Sequence, residues 1–164
     1  MVEDHRPIQD FVIFRLLDEH YGLPLQNVSE IVRMVAITTV PKSPDWLSGV
    51  INVRGRVVPV VDLSTRLGLP FRAPQLNTPI VIVQVKERFV GFIVDQADEV
   101  VSLSPELITP PDELTIKARP VKAFARQGDQ LIVILDPPRL TAGTERFSSE
   151  TAPRGKDELT KSTT

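Results

Sequence analysis

Cysteine is absent from the 164 residues, which excludes disulfides, thiolate metal sites and cysteine nucleophiles together. Histidine is nearly absent, with only His5 and His20, both close to the N-terminus. A metal cluster or a Ser-His-Asp triad would have to be assembled around one of them, and neither lies in a matching motif. Aromatics make up 5% of the chain. Neither sign of charge is in excess, since 19 Lys and Arg stand against 21 Asp and Glu, for a net charge of -2. A nucleic-acid-binding barrel needs a basic groove interleaved with stacking aromatics, and both are missing. No apolar run approaches the ~20 residues of a membrane helix, and residues 1–7 lack the basic-then-apolar order of a secretory signal. These absences lead us to expect a cytoplasmic, non-enzymatic protein with no cofactor and no metal. It should bind no nucleic acid and insert into no membrane.

Hydrophobic residues make up 41% and charged residues 24%, ordinary values for a globular chain. Residues 144–164 break this pattern, being rich in Thr, Ser, Lys and Glu. Such a stretch buries too little apolar surface to offset its ordering entropy. The reading is therefore a folded part over 9–142 and a disordered tail over 143–164. Within the folded part, short apolar, β-branched runs flank charged or Gly-containing turns: 11–17 with 21–25, 50–53 with 57–61, 80–85 with 89–94, and 122–126 with 130–135. That spacing predicts four antiparallel hairpins. Helical patterns are short, at 26–32, at 44–48 before Gly49 and at 62–67 before Gly68. None reaches the ~12 residues an independent helix wants, so they read as connectors.

The chain also repeats itself. An offset of 69, which lays Gly22 on Gly91, places Leu23 on Phe92, Glu30 on Glu99 and Ile31 on Val100. Later, VVPVVD at 57–62 resembles LIVILD at 131–136 at an offset of 74, the extra residues falling in the proline-rich loop at 109–112. Two units of roughly 70 residues thus share one plan. Four or five short strands per unit can close into a small barrel, which removes sheet edges. Two such barrels side by side would share a crevice, the natural place for a ligand or partner.

Residues 46–63, WLSGVINVRGRVVPVVDL, resemble the G-V-I-N-L-R-G-x-I-V-P-V-I-D-L signature of CheW-like domains, found in bacterial chemotaxis coupling proteins and in the regulatory domain of the histidine kinase CheA. YGLPL at 21–25 with VSEI at 28–31, and VGFIVD at 90–95, match two further family motifs in order and spacing. The resemblance covers about residues 9–142. It implies an all-β fold of two intertwined five-stranded SH3-like β-barrels with short connector helices. It further implies a scaffold that couples the cytoplasmic tips of methyl-accepting chemoreceptors to a CheA-type histidine kinase. A coupling protein of a non-flagellar pathway is the alternative within the family.

The resemblance also carries residue roles. Arg54 corresponds to the arginine of the family's N-L-R-G turn, at the inter-barrel groove where receptor helices dock, and Glu30 on the short connector helix beside that groove could pair with it. Val57, Ile80 and Gly91 match groove positions, although core packing accounts equally well for the two aliphatics and close backbone approach for the glycine. Val35, Ile37 and Leu67 are expected at the kinase-binding surface. Asp62 and Asp136 read as local caps, the acidic cluster Asp95, Asp98 and Glu99 as a solvated turn, and Trp46 as an anchor for its connector.

Overall fold

The computed structural model describes residues 6–147, apart from the side chains of Asp98 and Ala118. Eleven strands and three short α-helices build it. The first half of the chain holds β1 (Gln9–Leu16), β2 (Glu19–Pro24), β3 (Val28–Arg33), β4 (Leu47–Val53), β5 (Arg56–Asp62) and α1 (Leu63–Arg66). The second holds β6 (Pro79–Val85), β7 (Arg88–Ile93), β8 (Gln96–Leu103), β9 (Ile108–Thr109), α2 (Glu113–Ala118), β10 (Val121–Gln127), β11 (Gln130–Leu135) and α3 (Pro137–Leu140).

All four expected hairpins form, each on a two-residue loop: Leu17-Asp18, Arg54-Gly55, Lys86-Glu87 and Gly128-Asp129. The first residue of each loop takes a positive φ, at 57°, 53°, 58° and 61°. Left-handed loop residues let such tight turns follow the right-handed twist of the strands they join.

The hairpins then trade places. Strands β3-β6-β7-β5-β4 make a five-stranded sheet, and β8-β1-β2-β11-β10-β9 a six-stranded one. Hairpin β1–β2, from the first half, is flanked by β8 and β11 of the second. Hairpin β6–β7, from the second half, is flanked by β3 and β5 of the first. Each repeat has lent its leading hairpin to the other, so the two SH3-like units are intertwined. The repeat survives in detail: Gly91 pairs with Val60 and Gly22 with Ile134, equivalent positions at the two offsets.

Three apolar clusters follow from this exchange. Phe11, Ile13, Val101, Leu103, Ile132 and Ile134 fill the six-stranded unit. Ile51, Val58, Val60, Ile80, Ile82 and Ile93 fill the five-stranded one. The third and largest lies between them, with Phe14, Leu23, Val61, Val83 and Phe92 fully buried. The expected crevice between the units is therefore occupied by a shared core.

The sequence reading misses in four places. Residues 26–32 form a 3₁₀ turn at Leu25–Asn27 and then strand β3, not a helix. Val28, Ile31 and Val32 satisfy a helical spacing, but pairing with β6 along Val28–Arg33 wins, and β-branched residues suit that surface. Residues 44–48 make a turn, closed by the Leu47 amide donating to the Pro44 carbonyl, and β4 starts at Leu47. The acidic stretch after Asp95 is strand β8 rather than a turn, with only Val101 and Leu103 turned firmly inward. Two sheet pairings, β5 with β7 and β11 with β2, are parallel.

The folded chain also continues beyond Ala142. Thr144 is 1% exposed, Phe147 packs on the central cluster, and Arg88 donates to Thr144 Oγ1 at 3.1 Å. Residues 148–164, the remainder of the expected tail, lie outside the described residues.

Candidate functional site

The β4–β5 hairpin turns on Arg54 at φ 53° and Gly55 at φ 81°, both left-handed, as a type I′ turn requires. Asn52 closes it, its Oδ1 accepting from the Gly55 amide at 2.9 Å. A non-glycine residue in this conformation costs roughly 1–2 kcal/mol, so Arg54 is held in place by the turn rather than by its own preference. From there its guanidinium reaches across to β3. Nε donates to Glu30 Oε2 at 3.1 Å and Nη2 to Glu30 Oε1 at 3.2 Å, a two-pronged geometry that fixes the fork.

The pair is unevenly exposed: the Arg54 side chain is 79% accessible and that of Glu30 26%. Hydrogen bonding to Arg54 holds the Glu30 carboxyl below its ordinary range, and the same bond pushes the Arg54 guanidinium up. Arg54 therefore presents a permanently charged, pinned group to solvent with donors left over.

Beside it lies a cavity of about 300 Å³. Val58 and Ile82, members of the five-stranded core, form its apolar floor, with Glu30, Arg54, Arg56 and Phe89 among its walls. Arg56 lies over the Phe89 ring at 3.9 Å from the centroid, a stacking that holds a second guanidinium at the rim. Two oriented cations over an apolar floor suit a protein surface carrying a carboxylate next to an aliphatic side chain.

The sequence-predicted residues distribute unevenly around this cavity. Arg54 and Glu30 meet as expected, but with Glu30 on a strand instead of a helix. They meet at a cavity lined by the five-stranded unit alone rather than at a groove between the two units. Val57 is half-buried, and the strand's alternation gives the cavity to Val58 instead. Ile80 is fully buried. Gly91 lies beneath it, where a Cβ would come within 2.8 Å of Ile80 Cγ2 and 3.2 Å of Ile82 Cδ1. Both are buried positions of the five-stranded unit, and neither lines the cavity.

Arg56, Phe89, Val58 and Ile82 were missed. The signal was present in the hairpin register, which sets Arg56 opposite Val53 and Val58 opposite Ile51, but the alternation has to be anchored on the correct turn to be used. Of the expected kinase-binding residues, Val35 is 47% exposed, Ile37 packs on the five-stranded core and Leu67 on the central one. Asp62 and Asp136 stand at the N-cap positions of α1 and α3, but neither side chain makes the expected cap to a backbone amide; Asp62 accepts instead from Thr65 Oγ1 at 2.8 Å. Trp46 packs against the central cluster with the Arg66 guanidinium 4.4 Å above its ring.

Among the described residues no group of His, Asp and Glu could hold a metal ion, and no helix is long and apolar enough to cross a membrane.

Comparison with known proteins gives a consistent picture. The family model for the CheW-like domain matches residues 10–145. The chain is 31% identical over 134 residues to the chemotaxis protein CheW of Helicobacter pylori, covering 81% of each. It is 34% identical over 118 residues to CheW of Rhizobium meliloti, covering 72% of this chain and 75% of that one. A solved structure, the scaffolding protein TtCheW of Thermoanaerobacter tengcongensis, aligns with a TM-score of 0.74 at 35% identity over 79% of this chain and 90% of the other.

Proposed function

Because the chain belongs to the CheW-like family and is a non-enzymatic coupling adaptor of chemotaxis, we propose that it joins a CheA-type histidine kinase to the cytoplasmic tip of a methyl-accepting chemoreceptor. It would do so on the cytoplasmic side of the membrane, as part of a receptor array. The observation that carries this reading is the pinned Arg54. An adaptor must offer partners a surface whose groups are already ordered, because ordering them on contact subtracts from affinity. The I′ turn and the Glu30 fork place one guanidinium, and the Phe89 stack places a second, beside an apolar floor. The receptor surface that fits is helical, with an acidic residue next to an aliphatic one. The kinase would dock on the connector side, against the exposed Val35 together with Ile37 and Leu67. A small transient contact of this kind binds with micromolar affinity, on the order of −8 kcal/mol. The relatives' names favour chemotaxis over other outputs.

The test is Arg54→Glu, assayed by co-sedimentation with receptor-bearing membranes and the kinase. The turn backbone tolerates the change, so the melting temperature should stay put while ternary assembly falls at least tenfold. Retained assembly would remove Arg54 from the receptor face. An unfolded variant would make the arginine structural. Val35→Asp, at an exposed position, should spare receptor binding and weaken kinase binding alone.

A further inference from the structure

The exchange of hairpins leaves neither half of the chain with a complete unit. Within the first half, β1 pairs with β2 and β4 with β5. Within the second, β6 pairs with β7, and β10 with β11 and β9. The four pairings that turn these hairpins into sheets, β1–β8, β2–β11, β3–β6 and β5–β7, all run between halves. The central cluster is likewise drawn from both, with Phe14, Leu23 and Val61 from one and Val83, Phe92 and Leu135 from the other.

A single connection, 67–78, joins the halves in the chain. Its first residues pack down: Leu67 and Leu69 touch the central cluster, and the Leu69 amide donates to the Ser64 carbonyl. Residues 70–77, PFRAPQLN, are all exposed, including Phe71 at 65% and Leu76 at 91%. The segment is tied to the body by Arg72, whose Nη1 donates to Asp95 Oδ2 at 3.2 Å in a solvent-exposed pair. Two prolines, Pro70 and Pro74, stiffen it and favour extended backbone.

From this we propose that residues 70–77 are a hinge through which two copies of this chain exchange halves. In the product, the first half of each copy completes both units with the second half of its partner. Every strand pairing and every core contact is kept, and only the hinge changes conformation. What opposes the exchange is the linker, which holds the cognate half at an effective concentration on the order of millimolar. The closed monomer therefore prevails in dilute solution, and the exchanged dimer forms when chains fold at high local concentration. Once formed it is slow to revert, because reversion breaks four interstrand pairings and the shared core. Such a dimer carries two Arg54 surfaces on one body and is a bivalent scaffold.

The absence of cysteine makes a direct test available. Asp10 and Ser102 are exposed register partners across the β1–β8 pairing, with Ser102 Oγ donating to Asp10 Oδ1 at 2.5 Å. Antiparallel partners lie within the Cα separation a disulfide accepts. Full-length Asp10→Cys and Ser102→Cys chains are mixed near millimolar in urea, refolded and oxidised. The expected product is a disulfide-linked dimer joined between positions 10 and 102. Chains refolded separately and mixed only afterwards should give at least tenfold less of it. A third arm deletes residues 71–75, which should raise the dimer fraction at least tenfold at micromolar concentration. Cross-linking that is equal with and without co-refolding would point to surface association and overturn the proposal. So would a co-refolded mixture that yields monomer only. If the shortened chain fails to fold, the co-refolding arm alone decides.

Discussion

The two ends of the molecule are built on one plan and finished differently. At the five-stranded end, Glu30 on β3 meets Arg54 on the β4–β5 turn. The offsets of 69 and 74 place Glu99 on β8 and Gly128 on the β10–β11 turn at the equivalent positions of the other end. The glutamate is there and exposed; the arginine is replaced by glycine, with nothing within 4 Å of where its Cβ would be. Arg56 and Phe89, which stack at one end, correspond to Gln130 and His20 at the other. Beneath these rims the cores match: Val58, Ile82 and Gly91 correspond to Ile132, Ile13 and Gly22, all buried. The scaffold was duplicated whole, while the charged presentation exists at one end only. Shared positions are what the fold requires, and the unshared ones are where a partner-specific surface can be sought.

The largest effects should come from the shared core. Phe92 and Leu23 are equivalent and fully buried in the central cluster. Phe92→Ala should cost about 3–5 kcal/mol and Leu23→Ala about 2–5 kcal/mol. Because that cluster is drawn from both units, each variant should still melt in a single transition. Trp46 fluorescence and far-UV circular dichroism should then give coincident curves; separate transitions would show that the units are not one cooperative body.

The paired glycines come next. Gly91→Ala drives a Cβ to 2.8 Å from Ile80 Cγ2, a group close to its own backbone, whereas Gly22→Ala meets Ile134 Cδ1, a side-chain end, at 2.9 Å. Overpacking of this kind costs about 1–3 kcal/mol, and Gly91 should fall nearer the top of the range because its neighbour has less room to turn. Urea midpoints at unchanged slope measure both. Equal losses would mean that the two floors are equally yielding.

Gly128→Arg asks whether the bare end can be finished like the other. The position has φ 61° and open space, so the expected cost is the backbone preference, roughly 1–2 kcal/mol. If the pseudo-symmetry holds at side-chain level, the introduced guanidinium pairs with Glu99, seen as slowed exchange of its Nε proton. Receptor binding should not increase, since the Arg56–Phe89 stack has no counterpart there.

Much of this was legible in the sequence, for physical reasons that can be traced. The hairpins showed because short β-branched runs ended on turn residues, and the repeat showed because Gly22 and Gly91 both need a bare backbone under an isoleucine. Strands β3 and β8 were hidden. Each lines the edge of its sheet, so half of its residues face solvent and its apolar spacing also fits a helix. The hairpin exchange was hidden too, because pairing between halves leaves no mark on local pattern. At the site, Arg54 and Glu30 were found through the family motif, whereas Arg56 and Phe89 needed the cross-strand register that only the fold supplies.

The smallest effect sharpens the contrast most. Hydrogen bonding to Arg54 lowers the Glu30 pKa in the folded chain. A carboxyl so depressed binds its proton more weakly folded than unfolded. Its contribution is therefore full above the ordinary glutamate value of about 4.3 and is lost as pH falls through the lowered folded value. Arg54 is exposed and Glu30 only partly covered, so water screens the pair and the effect on overall stability should be too small to move a melting curve, as for most surface pairs. The titration itself is the measurement. Followed by the carboxyl carbon resonance, Glu30 should titrate below that ordinary value in the parent chain and move upward in Arg54→Ala. Lysine at position 54 should restore only part of the shift, because an ammonium offers charge without the planar fork. A Glu30 resonance indifferent to the residue at 54 would mean that the fork is not held in solution. The five-stranded end would then be as unfinished as the other.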